Sequence, residues 1–224
     1  MGHGLGLSGP APAGARAAPA FAGLPPFTQG MAIGLFGGSF NPPHEGHRRA
    51  ALTALRRLGL DCVWWLVTPG NPLKDNDALP PLERRMGAAR RVAAHPRIVV
   101  TGVEAAIGAR YTYDTIRWLK RRCPGVAFVW IMGADNLASF DRWQHWRDIA
   151  DLVPIAVVSR PGSQAKGPLG KAARILAPAR LPEHAARLLP RCRPPAWVFL
   201  HAPLDATSST GLRALGQGLG EHGG

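Results

Sequence analysis

From Met31 onward the chain alternates short apolar runs with amphipathic stretches. The runs near Ala32–Phe36, Cys62–Val67, Ile98–Val103, Val126–Met132, Ile155–Val158 and Trp197–Leu200 predict strands. Between them, helical patterns are expected near His47–Leu58, Leu82–Ala94, Thr112–Arg122 and Trp146–Asp151. Near-continuous apolar strands joined by helices imply a mostly parallel, doubly wound α/β sheet with helices on both faces, in one domain. The ligand crevice of such a sheet lies at the carboxyl ends of its strands, so function belongs in the loops that follow them.

Two segments break the rhythm. Residues 1–30 are rich in Gly, Ala and Pro and show neither period, so they are expected to be a disordered extension outside a domain spanning 31–224. They also lack the basic start and apolar stretch of a secretory signal. The segment from Ser159 to Ala179 is expected to be a mobile loop with a weak helix.

Composition narrows the classes. In 224 residues, 46% of them apolar, no run approaches the roughly 20 consecutive apolar residues a membrane helix needs, so no membrane partner is expected. Three widely spaced cysteines, Cys62, Cys123 and Cys192, suggest neither a disulfide framework nor a zinc site, and a cytoplasmic setting is the simplest. A net charge of +13 suits an anionic partner, whether nucleic acid, acidic lipid or phosphorylated metabolite. The arginine pairs Arg48/Arg49, Arg56/Arg57, Arg84/Arg85, Arg90/Arg91 and Arg121/Arg122 are scattered over helical stretches, and read as solvated helix faces rather than a nucleic-acid stripe.

The loop after the first strand carries the chemistry. It reads Gly37-Gly38-Ser39-Phe40-Asn41-Pro42-Pro43-His44-Glu45-Gly46-His47. Glycines at a strand end admit a close ligand, and the following helix offers free N–H groups to phosphate. The pattern is neither GxGxxG nor a P-loop. His44 and His47, three apart at a helix start, share one face and are placed to stabilise charge on phosphate oxygens. A zinc site is the competing reading, but no further ligand set is obvious. After the second strand, the loop holding Asn71 and Lys74 lets an ammonium reach a phosphate; Arg160, after the fifth, is a weaker candidate of the same kind. Thr207-Ser208-Ser209-Thr210-Gly211-Leu212-Arg213 reads as a helix entry rich in hydroxyl and N–H groups, with Arg213 about one turn on.

The pattern GxFxPxHxGH, here Gly34, Phe36, Phe40, Pro42, His44, Gly46 and His47, resembles the nucleotidyltransferase superfamily signature. The fuller string from Gly34 to His47 is similar to the nicotinate mononucleotide adenylyltransferase family. The Ser208–Arg213 segment resembles that family's second signature, with Thr207 in place of Ile. Gly133-Ala134-Asp135-Asn136-Leu137, Phe140 to Trp143 and Tyr111 to Thr115 are similar to three more of its segments.

The resemblance implies a Rossmann-like fold and transfer of an adenylyl group from ATP to nicotinate mononucleotide, giving nicotinate adenine dinucleotide and pyrophosphate in NAD synthesis. It further implies Mg²⁺ accompanying ATP, small-molecule substrates and no nucleic-acid partner, and leaves homo-oligomer formation open. By the same resemblance His44 and His47 contact the ATP phosphates, Ser208, Ser209, Thr210 and Arg213 take the β- and γ-phosphates, and Gly37, Gly38 and Ser39 line the phosphate path. Asp135 and the Gly133 backbone hold the ribose; Trp143 stacks on the pyridine ring; amides near Thr112 and Gln144 receive the carboxylate. Two rivals stand beside this reading: the same chemistry on nicotinamide mononucleotide or another phosphorylated metabolite, and a basic nucleic-acid-binding protein.

Overall fold

The computed structural model describes residues 23–70, 79–159 and 170–201. Within them seven strands form one all-parallel sheet: β1 (Ala32–Gly38), β2 (Cys62–Val67), β3 (Ile98–Thr101), β4 (Ala127–Gly133), β5 (Ile155–Val158), β6 (Arg180–Leu181) and β7 (Trp197–Leu200). Their spatial order is β3-β2-β1-β4-β5-β7-β6. The helices are α1 (Glu45–Arg57), α2 (Leu82–Ala93), α3 (Val103–Ala106), α4 (Thr112–Arg122), α5 (Ala134–Ala138), α6 (Trp146–Leu152) and α7 (Lys171–Ile175).

The strict alternation of a strand sends successive side chains to opposite faces, and here both faces are buried. Phe36, Trp65, Val129, Ile131 and Val198 pack on α1, α2 and the 3-10 segment Glu183–Arg191. Leu35, Trp64, Trp130, Val157 and Phe199 pack on the other face against α3 to α7. Two cores on one sheet are the doubly wound arrangement that the apolar pattern predicts.

Helix α1 shows how locally consistent the sequence is. Ala50, Ala51, Ala54 and Leu55 form its buried stripe, Glu45 lies in its first turn, and Arg56 and Arg57 in its last complement the helix dipole. The chain then turns at Gly59, whose φ of +64° is a conformation glycine adopts without strain.

Two expectations are corrected and one is met in its described part. Residues 23–30, expected outside the fold, lie against it: Leu24 and Phe27 pack on the core, with the Phe27 ring edge-on to Trp64 at 6.5 Å. The Gly30 N–H donates to the Gly125 carbonyl, and Arg191 donates to the Gly30 carbonyl. A segment without periodicity can still be captured when a few apolar side chains cover a sheet face. Second, the described part of the Ser159–Ala179 segment carries the expected short helix, α7, followed by a 3-10 turn at Ala177–Ala179, and it packs on the core through buried Ala172 and Ala173; residues 160–169 lie outside the described residues. Third, the third strand stops at Thr101, whose hydroxyl accepts the Val103 N–H and so starts α3. Neither β6 nor the 3-10 segment after it was expected, since two residues and a proline-containing turn carry no readable period.

Candidate active site

Strand β1 is the topological switch point. The chain runs from it outward through β2 and β3, then returns to place β4 on its other side. Loops leaving β1 and β4 therefore diverge at the carboxyl rim and open a crevice there. The register sets Phe36 beside Ile131, so Gly37 and Gly38 reach the rim next to Met132 and Gly133.

The β1 loop is shaped by its packing. A Cβ on Gly37 would fall 2.6 Å from the Trp130 ring, so only glycine lets the strand end pass over that indole. Phe40 takes a φ of +46°, a conformation that costs a non-glycine residue on the order of 1 kcal/mol. Its buried ring stacks on Trp65 at 4.8 Å and meets Phe36 edge-on at 6.0 Å. Burying a phenylalanine stabilises by about 2 kcal/mol or more, which outweighs that strain.

Beyond this anchor His44 caps α1. The His44 Nδ1 accepts the Gly46 N–H at 3.1 Å, and the His47 Nδ1 accepts the His44 N–H at 3.2 Å. The rings lie 3.9 Å apart, centroid to centroid, and both are buried. Because each Nδ1 is an acceptor, the ring hydrogen resides on Nε2 in both. The pair is thus two oriented Nε2–H donors on a helix N-terminus, chemistry suited to the oxygens of a phosphate.

A second group of residues gathers around Trp130 of β4. Trp143 is half-buried, its ring edge-on to Trp130 at 6.2 Å and to Phe140 at 5.4 Å. Trp130 thereby links the Gly37 strand end to Trp143. Tyr113, in the first turn of α4, lies 4.9 Å from the ring of His145, the residue before α6, so the starts of these two helices meet there. His145 itself has a φ of +57° and its Nδ1 lies 3.0 Å from an Asp148 carboxylate oxygen.

Two buried ionisable groups underlie the rim. Glu104, in α3, accepts the Thr115 hydroxyl of α4 at 3.1 Å. Burial pushes its carboxyl up to about 7, while hydrogen bonds from the Thr115 and Thr68 hydroxyls oppose that rise. Arg85, in the first turn of α2, is also buried. This corrects one of the solvated arginine pairs: Arg84 is exposed as expected, but Arg85 turns inward.

The end of β1 and the loop after it hold Gly37, Gly38, Ser39, His44 and His47, and Gly133 ends the neighbouring strand β4; Trp143 packs on Trp130 of β4, and Thr112 and Gln144 are the chain neighbours of the Tyr113–His145 contact. Asp135 is exposed in α5, directly after β4. Asn71, Lys74, Arg160, Ser208, Ser209, Thr210 and Arg213 lie outside the described residues. Sequence reasoning missed Arg85, Glu104 and His145. For Arg85 a signal existed: with Met86 and Ala89 it lies on the buried side of α2.

The profile of the cytidylyltransferase-like family matches residues 35–215. The chain belongs to that family of nucleotidyltransferases. A probable nicotinate-nucleotide adenylyltransferase of Methylorubrum extorquens is 57% identical over 183 residues, covering 82% of this chain and 99% of that protein. Proteins of the same description from Brucella abortus and Cereibacter sphaeroides are 54% and 52% identical; the alignments span 82% and 85% of this chain and 94% and 99% of theirs. The fold matches that of the Plasmodium falciparum nicotinic acid mononucleotide adenylyltransferase complexed with NaAD. That match has a TM-score of 0.62 at 15% identity and covers 82% of this chain and 83% of that one.

Proposed function

We propose that the protein transfers the adenylyl group of ATP to nicotinate mononucleotide, forming nicotinate adenine dinucleotide and pyrophosphate, a step of NAD synthesis. The observation that carries the reading is the His44/His47 pair, locked as Nε2–H donors at the switch point between β1 and β4. The description shared by relatives more than half identical over nearly their whole length supports the choice of acceptor.

The nucleophile is a phosphate oxygen of the mononucleotide. A phosphate monoester has its second pKa near 6, so that oxygen is already anionic at neutral pH and no general base is required. It attacks the α-phosphorus of ATP in line; the bond to the bridging oxygen breaks, and pyrophosphate leaves with its electron pair. Bringing two polyanions together is the obstacle, so the protein's contribution is positioning and charge neutralisation.

In this scheme His44 and His47 donate to the triphosphate, with His47 at the α-phosphate. Ser39 and the backbone of Gly37 and Gly38 line its path. Ser208, Ser209, Thr210 and Arg213 take the β- and γ-phosphates, and Asn71 and Lys74 the mononucleotide phosphate. Asp135 and the Gly133 backbone hold the adenylate ribose. The half-buried Trp143 stacks on the pyridine ring, and amides near Thr112 and Gln144 receive its carboxylate.

Mg²⁺ enters bound to ATP, as part of that substrate, and offsets the charge of the triphosphate. Among the described residues no helix is long and apolar enough to cross a membrane. The cytoplasmic setting belongs to the proposal and is supported by the three widely spaced cysteines, all of them free thiols. A pyrophosphate-release assay with ATP, Mg²⁺ and a panel of mononucleotides tests the assignment. The nicotinate form should be the preferred acceptor. Equal or better use of nicotinamide mononucleotide would overturn that choice, and no release with any mononucleotide would overturn the reaction.

A further inference from the structure

Arg85 is 3% exposed and belongs to no ion pair among the described residues. Its guanidinium is instead spent on backbone carbonyls. Nη1 donates to Ser39 at 2.8 Å and to Thr68 at 2.7 Å, Nε donates to Pro80 at 2.8 Å, and Nη2 donates to Pro69 at 3.3 Å. These acceptors come from three separate segments: the β1 loop that leads to the histidine pair, the loop leaving β2, and the entry to α2.

Such a placement is costly. Burial pulls the Arg85 guanidinium below its usual value, with the nearby Glu83 charge opposing, yet an arginine stays protonated. An apolar side chain would pack more cheaply on the face of α2 that already buries Met86, Ala89 and Ala93. No smaller donor set could reach the same carbonyls at once, because only guanidinium offers five N–H groups in a planar fork.

We infer that Arg85 is a positioning residue for the adenylyl-transfer reaction, holding the loop that leads from Ser39 to His44 at a fixed distance from the Thr68–Gly70 loop. This inference rests on the function proposed above. Ser39 is followed by the strained Phe40, so the clamp grips the loop one residue before the turn that aims it. Arg85 touches neither phosphate nor nucleotide in this role; it acts through the backbone that carries His44 and His47.

The test is Arg85→Lys, which keeps the charge but offers one ammonium to four carbonyls, with Arg85→Gln beside it. With folding verified by circular dichroism and cooperative unfolding, kcat should fall by about tenfold to a hundredfold, since small displacements of reacting groups cost that much. The loss should be smaller for lysine than for glutamine. A purely structural role would instead lower Tm and leave kcat and both KM values unchanged well below it, and that result would overturn the inference.

Should neither variant fold, amide exchange in the wild-type protein decides. Binding of α,β-methylene-ATP should slow exchange at residues 80–86 as well as 37–47, and protection confined to 37–47 would overturn the clamp. A wild-type protein that neither releases pyrophosphate nor binds the analogue sinks the proposed function. An active wild type with indifferent Arg85 variants sinks the inference alone.

Discussion

Replacing Glu104 by glutamine isolates the energetics of one buried acid beneath the rim. In the folded protein its carboxyl is raised from 4.5 to about 7, chiefly by burial. Below pH 4.5 folded and unfolded chains both hold the proton. Between 4.5 and 7 the folded state keeps a proton that the unfolded state has released, so stability falls as pH rises through this window and levels off above it. A shift of that size corresponds to a stability loss on the order of 3 kcal/mol.

Glutamine is neutral throughout and can still accept the Thr115 hydroxyl. The stability of the Glu104→Gln variant relative to wild type should therefore climb by about 3 kcal/mol between pH 4.5 and pH 8, roughly 6 to 12 °C in Tm for a chain of this size. Thermal or urea unfolding of both proteins at several pH values reads the difference, and titrating histidines common to both cancel. A difference that stays constant with pH would refute the claim that Glu104 is buried as a neutral acid.

Other expectations follow from the same geometry. His47→Ala should reduce the rate of pyrophosphate release by about 10²–10³, as removal of one preorganised donor does elsewhere, and a wild-type rate would remove His47 from the mechanism. Gly37→Ala places a Cβ 2.6 Å from the Trp130 ring and should cost about 1–3 kcal/mol, measured by urea unfolding; unchanged stability would mean that the indole moves freely. Trp143→Ala should raise KM for the mononucleotide more than KM for ATP in steady-state assays, and an equal effect on both would argue for a packing role alone.

Much of the candidate site was legible because its signals are local. Glycine at a strand end, histidine at positions three apart on a helix start, and an apolar strand before them are all features of neighbouring residues. Arg85 and Glu104 were less legible. The helical stripe with Met86 and Ala89 and the apolar neighbours Val103, Ala105 and Ala106 hint at burial, but the groups that satisfy each side chain come from other segments: Ser39 and Thr68 for the arginine, Thr115 for the glutamate. His145 has a local partner in Asp148, but its contact with the Tyr113 ring comes from a different helix.

The alternation of strand and helix, the two-sided burial that goes with a parallel, doubly wound sheet, and the choice of the β1 loop as the candidate phosphate-facing loop were all readable along the chain. These follow from side-chain periodicity and backbone preference, which act over a few residues. Tertiary structure alone decided that residues 23–30 are captured against the domain, and that β4 returns to the open side of β1. It also decided that one guanidinium joins three chain segments. Contacts between residues far apart in the chain depend on which surfaces meet after the strands pair, and no local pattern encodes that.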